Sequence, residues 1–122
     1  MNTKTYKDLI FWQRAYEVSK MIFRLVNQLP KNQANRILTS QILRSAMSVG
    51  ANIAEGYGRF GSKEYPRFLQ VALGSANETE HWLLLLQECC PNLKNSIQEI
   101  ITKNEESIKM LAASLKTLRA NK

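Results

Sequence analysis

Residues 56–61 read Gly56-Tyr57-Gly58-Arg59-Phe60-Gly61, and the fold turns on how this GYGRFG is understood. It matches G-x-G-x-x-G, the spacing of loops that cradle nucleotide phosphates. Such a loop needs a strand before it and a helix opening at its last glycine. Here the preceding residues place Leu38, Ile42, Ala46, Val49, Ile53 and Tyr57 at helical spacing. No Lys-Ser or Lys-Thr pair follows at P-loop spacing. There is also no second strand to carry the acidic residue that a dinucleotide site places after one. GYGRFG therefore reads as a turn between two helices. Gly56 or Gly58 is expected to take the left-handed conformation that ends the first of them.

Apolar periodicity predicts four helices and no strand, over about 7–29, 35–56, 62–90 and 92–119. In the first, Leu9, Trp12, Tyr16, Phe23 and Val26 recur with Ala15, Ile22 and Leu29. Phe11, Val18 and Leu25 widen that face to about half the circumference, more than one core stripe needs. Pro30 closes the helix. The second carries a strip of short side chains, Ser45, Ser48, Gly50 and Ala51, suited to close approach of another backbone. The third is expected to start at Ser62 as N-cap. Its stripe runs Phe68, Leu69, Ala72, Ala76, Thr79, Trp82, Leu83 and Leu86, with Leu84 and Leu85 off it. The fourth has a seam of Leu93, Ile97, Ile100, Ile101, Ile108, Leu111, Ala112, Leu115 and Leu118. Four amphipathic helices with short connections predict an all-α, antiparallel up-down-up-down bundle forming a single domain over 1–122. The wide faces of the first and third helices point to a subunit interface, with Phe11, Trp12, Leu84 and Leu85 as its candidates.

The chain has 122 residues and a net charge of +7. Residues 1–67 hold 11 Lys and Arg against four acids, Asp8, Glu17, Glu55 and Glu64. Residues 68–122 hold six of each sign. All the excess therefore lies in the first half, and a basic face favours anionic partners, nucleic acid above all. A solubilising surface is the competing explanation. Lys20, Arg24, Lys31, Arg36, Arg59 and Lys63 are the candidate phosphate contacts, with Arg14 and Arg44 as structural alternatives. The N-terminus lacks a signal-peptide pattern. The longest strongly apolar run, Trp82 to Leu86, is far below the ~20 residues of a membrane helix. A cytoplasmic protein with no membrane contact is the expectation. Cys89 and Cys90 are adjacent and read as unbridged, partly buried thiols.

Two further patterns bear on chemistry. Glu78-x-x-His81 resembles half of a di-iron motif, but such sites use a second Glu-x-x-His and the chain has one histidine. The pair is expected as a surface ion pair. With a single histidine, no Ser-His or Cys-His arrangement is marked, so neither an enzyme nor a cofactor is expected. Glu55 is unusual, because the last turn of a helix disfavours a carboxylate. Arg44, Arg59 and Arg67 are near enough in sequence to offset it. The expected device is a polar clamp of Asn52, Glu55 and Arg67 tying the second helix to the third.

The residues Gln41-Ile42-Leu43-Arg44-Ser45-Ala46, Ser48 through Arg59 with its Asn52-Ile53-Ala54-Glu55-Gly56 core, Ser62-Lys63-Glu64-Tyr65 and Arg67-Phe68-Leu69 form a dense series. Leu9-x-x-Trp12-x-x-Ala15 and Leu29-Pro30 extend it. Over about residues 6–118 the chain resembles the bacterial four-helix-bundle family encoded in intervening sequences of 23S ribosomal RNA genes. That family includes relatives of the accessory variability determinant of diversity-generating retroelements. The resemblance implies a homopentamer with a basic surface, no enzyme activity and no cofactor. For the accessory determinants it implies contact with a reverse transcriptase and with nucleic acid. For the intervening-sequence proteins it implies RNA binding as the function to test, with a protein-binding scaffold or adaptor as the alternative.

Overall fold

The structure, a computed structural model, describes residues 4–121. It contains four long helices, α1 (Ile10–Val26), α2 (Gln33–Tyr57), α3 (Glu64–Cys89) and α4 (Lys94–Ala120). Short 3-10 turns, Tyr6–Asp8 and Pro91–Leu93, precede α1 and α4. Among the described residues no strand forms. The helices expected from periodicity are all present, with shifted ends. α1 starts later than residue 7 because Thr5 and Asp8 close a capping box around the first 3-10 turn. α2 starts early, capped by Asn32, whose side chain accepts from the Asn35 amide at 2.8 Å. α3 begins at Glu64 rather than at a Ser62 cap. Ser62 Oγ instead bridges the turn, donating to the Arg59 carbonyl at 2.6 Å and accepting from the Glu64 amide at 3.2 Å.

GYGRFG is indeed a helix-to-helix turn, but its left-handed residue is Gly61, at φ +88°. Gly56 lies within α2 and Gly58 keeps φ −63°. The chain winds on past α2, with Arg59 N bonded to Gly56 O at 2.8 Å and Phe60 N to Tyr57 O at 3.1 Å. It reverses only after that. Gly56 serves a different need. A Cβ there would stand 2.6 Å from Phe68 Cβ, so its absence lets α3 approach α2.

Each helix packs on two others, α1 on α2, α2 on α3, α3 on α4 and α4 on α1. The pairings run in opposite senses along consecutive helices. Ser45 meets Thr79 and Ser48 meets Ser75. Asn104 meets Ala76 and Arg119 meets Gln70. Ser19 meets Ala46, and Trp12 lies by Gly50. The architecture is an antiparallel four-helix bundle. The short-residue strip of α2 divides: Ser45 and Ser48 bond to α3, whereas Gly50 lies by Trp12 of α1 and Ala51 is exposed.

The α1 face differs from the expected one. Its buried stripe is Phe11, Ala15, Val18, Ile22 and Leu25. Tyr16 and Phe23, expected on the stripe, are 52% and 49% exposed. Periodicity locates an apolar arc, and when the arc is too wide it does not say which part points inward. Phe11, an interface candidate, thus lies in the core of its own subunit.

The core has two apolar halves. One gathers Phe11, Ala15, Val49, Ile53, Leu69 and Leu111. The other gathers Val18, Ile22, Leu25, Ile42, Leu83 and Ile97. Between them in register lie four buried polar residues, Ser45, Thr79, Asn104 and Ser107. The Ser45 and Thr79 hydroxyls share a hydrogen bond at 2.8 Å, and Asn104 donates to the Ala76 carbonyl at 2.9 Å. The α4 seam therefore runs through Asn104 and Ser107, while Ala112 is exposed. Among the described residues no helix is long and apolar enough to cross a membrane.

Candidate nucleic-acid interface

The six candidate cations fall into three groups. Lys20 and Arg59 are committed to the bundle's own carboxylates. Lys20 Nζ lies 3.1 Å from Glu17 and 5.6 Å from the Tyr16 ring centroid. Its hydrogen bond and charge hold the Glu17 carboxyl below the usual carboxylate range. Arg59 pairs with Glu55 one turn back, and its Nε lies 2.9 Å from Glu64. Its guanidinium also covers the Phe68 ring at 4.9 Å. Arg24 is intermediate. It has no ion pair among the described residues, but it shares a shallow cleft with Glu99 of α4.

Lys31, Arg36 and Lys63 form no ion pair among the described residues. Lys31 and Arg36 come together at the α1–α2 turn, lining a cleft of about 370 Å³ with Asn27, Leu29, Pro30 and Thr39. Lys63 lies at the other end of α2, beside Phe60, Tyr65 and Leu118. A helix of α2's length spans about 37 Å. The bundle thus brings Lys31 and Arg36 together and keeps Lys63 apart from them.

The tie between α2 and α3 is Glu55–Arg59–Glu64, which uses Arg59 where Arg67 was expected. The i, i+4 spacing of Glu55 and Arg59 places them on one helical face. Asn52 bonds within α2, donating to the Ser48 carbonyl at 2.8 Å and to Ser48 Oγ at 2.9 Å. Arg67 is exposed and makes no hydrogen bond or ion pair among the described residues. Arg44 and Arg14 are in ion pairs, with Glu78 and Glu106, each at 3.4 Å. Glu78 also accepts from Trp82 Nε1 at 3.0 Å. Its cation is therefore Arg44 and not His81, which packs edge-on against the Trp82 ring.

Apolar surface remains in two places. Trp12 stacks on Tyr16 with centroids 4.8 Å apart. Together with Phe23 and Met47 they line a groove of about 400 Å³ between α1 and α2, walled by Gly50 and Ala51. Leu84 and Leu85 on α3 are 50% and 43% exposed. Both cysteines are unbridged, and Cys89 is exposed rather than partly buried. Periodicity missed the buried Asn104 and Ser107. The signal was available, because they continue the three-and-four spacing from Ile97 and Ile100 to Leu111.

Fold and surface together define a small all-helical bundle that displays an aromatic groove and a set of cations with no ion pair among the described residues. The family model described as 23S rRNA-intervening sequence protein matches residues 7–113, and the chain belongs to that family. A solved structure from Bacteroides thetaiotaomicron, described as a protein with unknown function from the S23 ribosomal protein family, is 31% identical. The match covers 88% of this chain and 99% of that one, with a TM-score of 0.79. No curated protein matches.

Proposed function

We propose that this chain is a non-catalytic, oligomeric nucleic-acid-binding protein that takes RNA or DNA through phosphate contacts on its basic half. The observation that carries this reading is how the acids of residues 1–67 are used. Glu17 is taken by Lys20, and Glu55 and Glu64 by Arg59. Asp8 accepts the amides of Lys4 and Thr5. Four acids are thus occupied by two cations and a cap, which leaves Lys4, Lys7, Arg24, Lys31, Arg36, Lys63 and Arg67 without an ion pair among the described residues. Repeating such a surface in an assembly raises avidity without tight binding by any one copy. Phosphate contacts position a polymer and carry little sequence information. In this reading no cofactor takes part, and the cytoplasm is the compartment.

Titration with single-stranded RNA and DNA in low salt tests the proposal. Both should bind, and affinity should fall steeply with salt, with a logarithmic slope of about 0.7 to 0.9 per phosphate neutralised. Failure of both polymers to bind in low salt would overturn it. A second reading, a scaffold for a protein such as a reverse transcriptase, is favoured by the groove of Trp12, Tyr16, Phe23 and Met47. On that reading Phe23→Asp abolishes protein capture, whereas the charge variants do not.

A further inference from the structure

The geometry points to the cleft at the α1–α2 turn as a seat for a phosphodiester group, held by Lys31 and Arg36. This rests on the nucleic-acid reading above and gives it a location. Lys31 stands in the turn and Arg36 in the first turn of α2. Both are exposed and neither has a carboxylate partner among the described residues. The Arg24 cleft contains Glu99, and the Lys63 cleft has one cation. The α1–α2 cleft has two cations and no carboxylate. Its volume of about 370 Å³ falls in the range of small-ligand clefts, roughly 300 to 1,000 Å³.

The walls are held by bonds of their own. Asn35 Nδ2 donates to the Pro30 carbonyl at 2.8 Å. Asn32 accepts the Asn35 amide at its side chain and the Arg36 amide at its carbonyl, 3.0 Å away. Those amides are spent on the turn, so the two cationic side chains, and not the end of the helix, carry the site. Arginine offers a planar fork to two phosphate oxygens and lysine adds a point charge. Pro30, exposed above the buried Leu29, gives an apolar wall against which a sugar can rest. The chemistry recognised is the phosphodiester backbone, which RNA and DNA share.

The test is fluorescence anisotropy with single-stranded RNA and DNA of one sequence, on the full chain in low salt. The double variant Lys31→Glu/Arg36→Glu should bind at least about tenfold more weakly. Its salt slope should drop by about 2, one per lost phosphate contact. Equal losses for both polymers mean that the backbone alone is held. A loss with one polymer only identifies that polymer as the occupant. Lys116→Glu, next to Leu115 at the opposite end of the core and outside the basic half, should change affinity less than about twofold, as a charge beyond screening distance does. Circular dichroism should be unchanged in all variants, because neither Lys31 nor Arg36 holds the fold together. If the wild type binds and the double variant binds equally well, the seat is wrong and the wider reading stands. The seat is also wrong if Lys116→Glu weakens binding as much as the double variant. If the wild type binds neither polymer, both fall together.

Discussion

Gly50 and Gly56 sit six residues apart on α2 and are glycines for opposite reasons. A Cβ at Gly50 would touch Trp12 at 3.5 Å, an ordinary contact. Gly50→Ala should therefore realise most of the helix-propensity gain and stabilise the fold by about 0.5 to 1 kcal/mol. At Gly56 the same Cβ would stand 2.6 Å from Phe68 Cβ. That atom sits next to the α3 backbone and cannot turn aside. Overpacking costs about 1 to 3 kcal/mol, enough to offset the propensity gain, so Gly56→Ala should destabilise. Urea unfolding at one protein concentration decides between the signs. A stabilised Gly56→Ala would mean that α3 shifts freely away from α2. Both glycines were visible in the sequence, but the partner that makes one of them irreplaceable is 12 residues away on another helix.

At the scale of helices, α3 and α4 meet through carboxyl groups as well as through their apolar seam. Burial, and then hydrogen bonding and charge repulsion from Glu105, raise the Glu80 carboxyl above its ordinary pKa of 4.5. The folded state therefore holds this proton more tightly than the unfolded chain does. Glu80 favours folding at low pH, and that contribution is lost as pH rises through the folded-state value. Glu80→Gln should raise the urea midpoint at pH 7, and the advantage should shrink as pH falls through the folded-state value toward 4.5. A gain of equal size at both pH values would show that the amide simply packs better. Charge pattern alone did not expose this pair. Glu80 and Glu105 are 25 residues apart, and only the α3–α4 register brings them together.

At the scale of the whole molecule, the groove of Trp12, Tyr16, Phe23 and Met47 and the exposed Leu84 and Leu85 are more apolar surface than one bundle uses. Assembly with further copies is the outcome expected of them. Light scattering at micromolar concentration should give a mass well above the 14.0 kDa of one chain. Phe23→Asp, half exposed on α1, should lower that mass and leave helicity intact. A wild type that runs as a monomer would show that the groove is free for another partner.

The amino-acid sequence determined the helices, their antiparallel order and the turn at GYGRFG, because apolar period and helix-breaking residues act over a few neighbours. It also determined that excess charge lies in the first half, and the i, i+4 spacing of Glu55 and Arg59 was legible in the same way. Tertiary structure alone decided which arc of α1 faces inward, since an over-wide apolar face has no unique inner side until it is packed. It alone put Asn104 and Ser107 between the two halves of the core. It also sorted the cations. Lys20 and Arg59 have carboxylates within reach, Arg24 shares a cleft with a residue 75 positions later, and Lys31 and Arg36 line one cleft that has no carboxylate among its lining residues. Charge can be counted along a chain, but whether a charge is free depends on what the fold brings within a few ångströms of it.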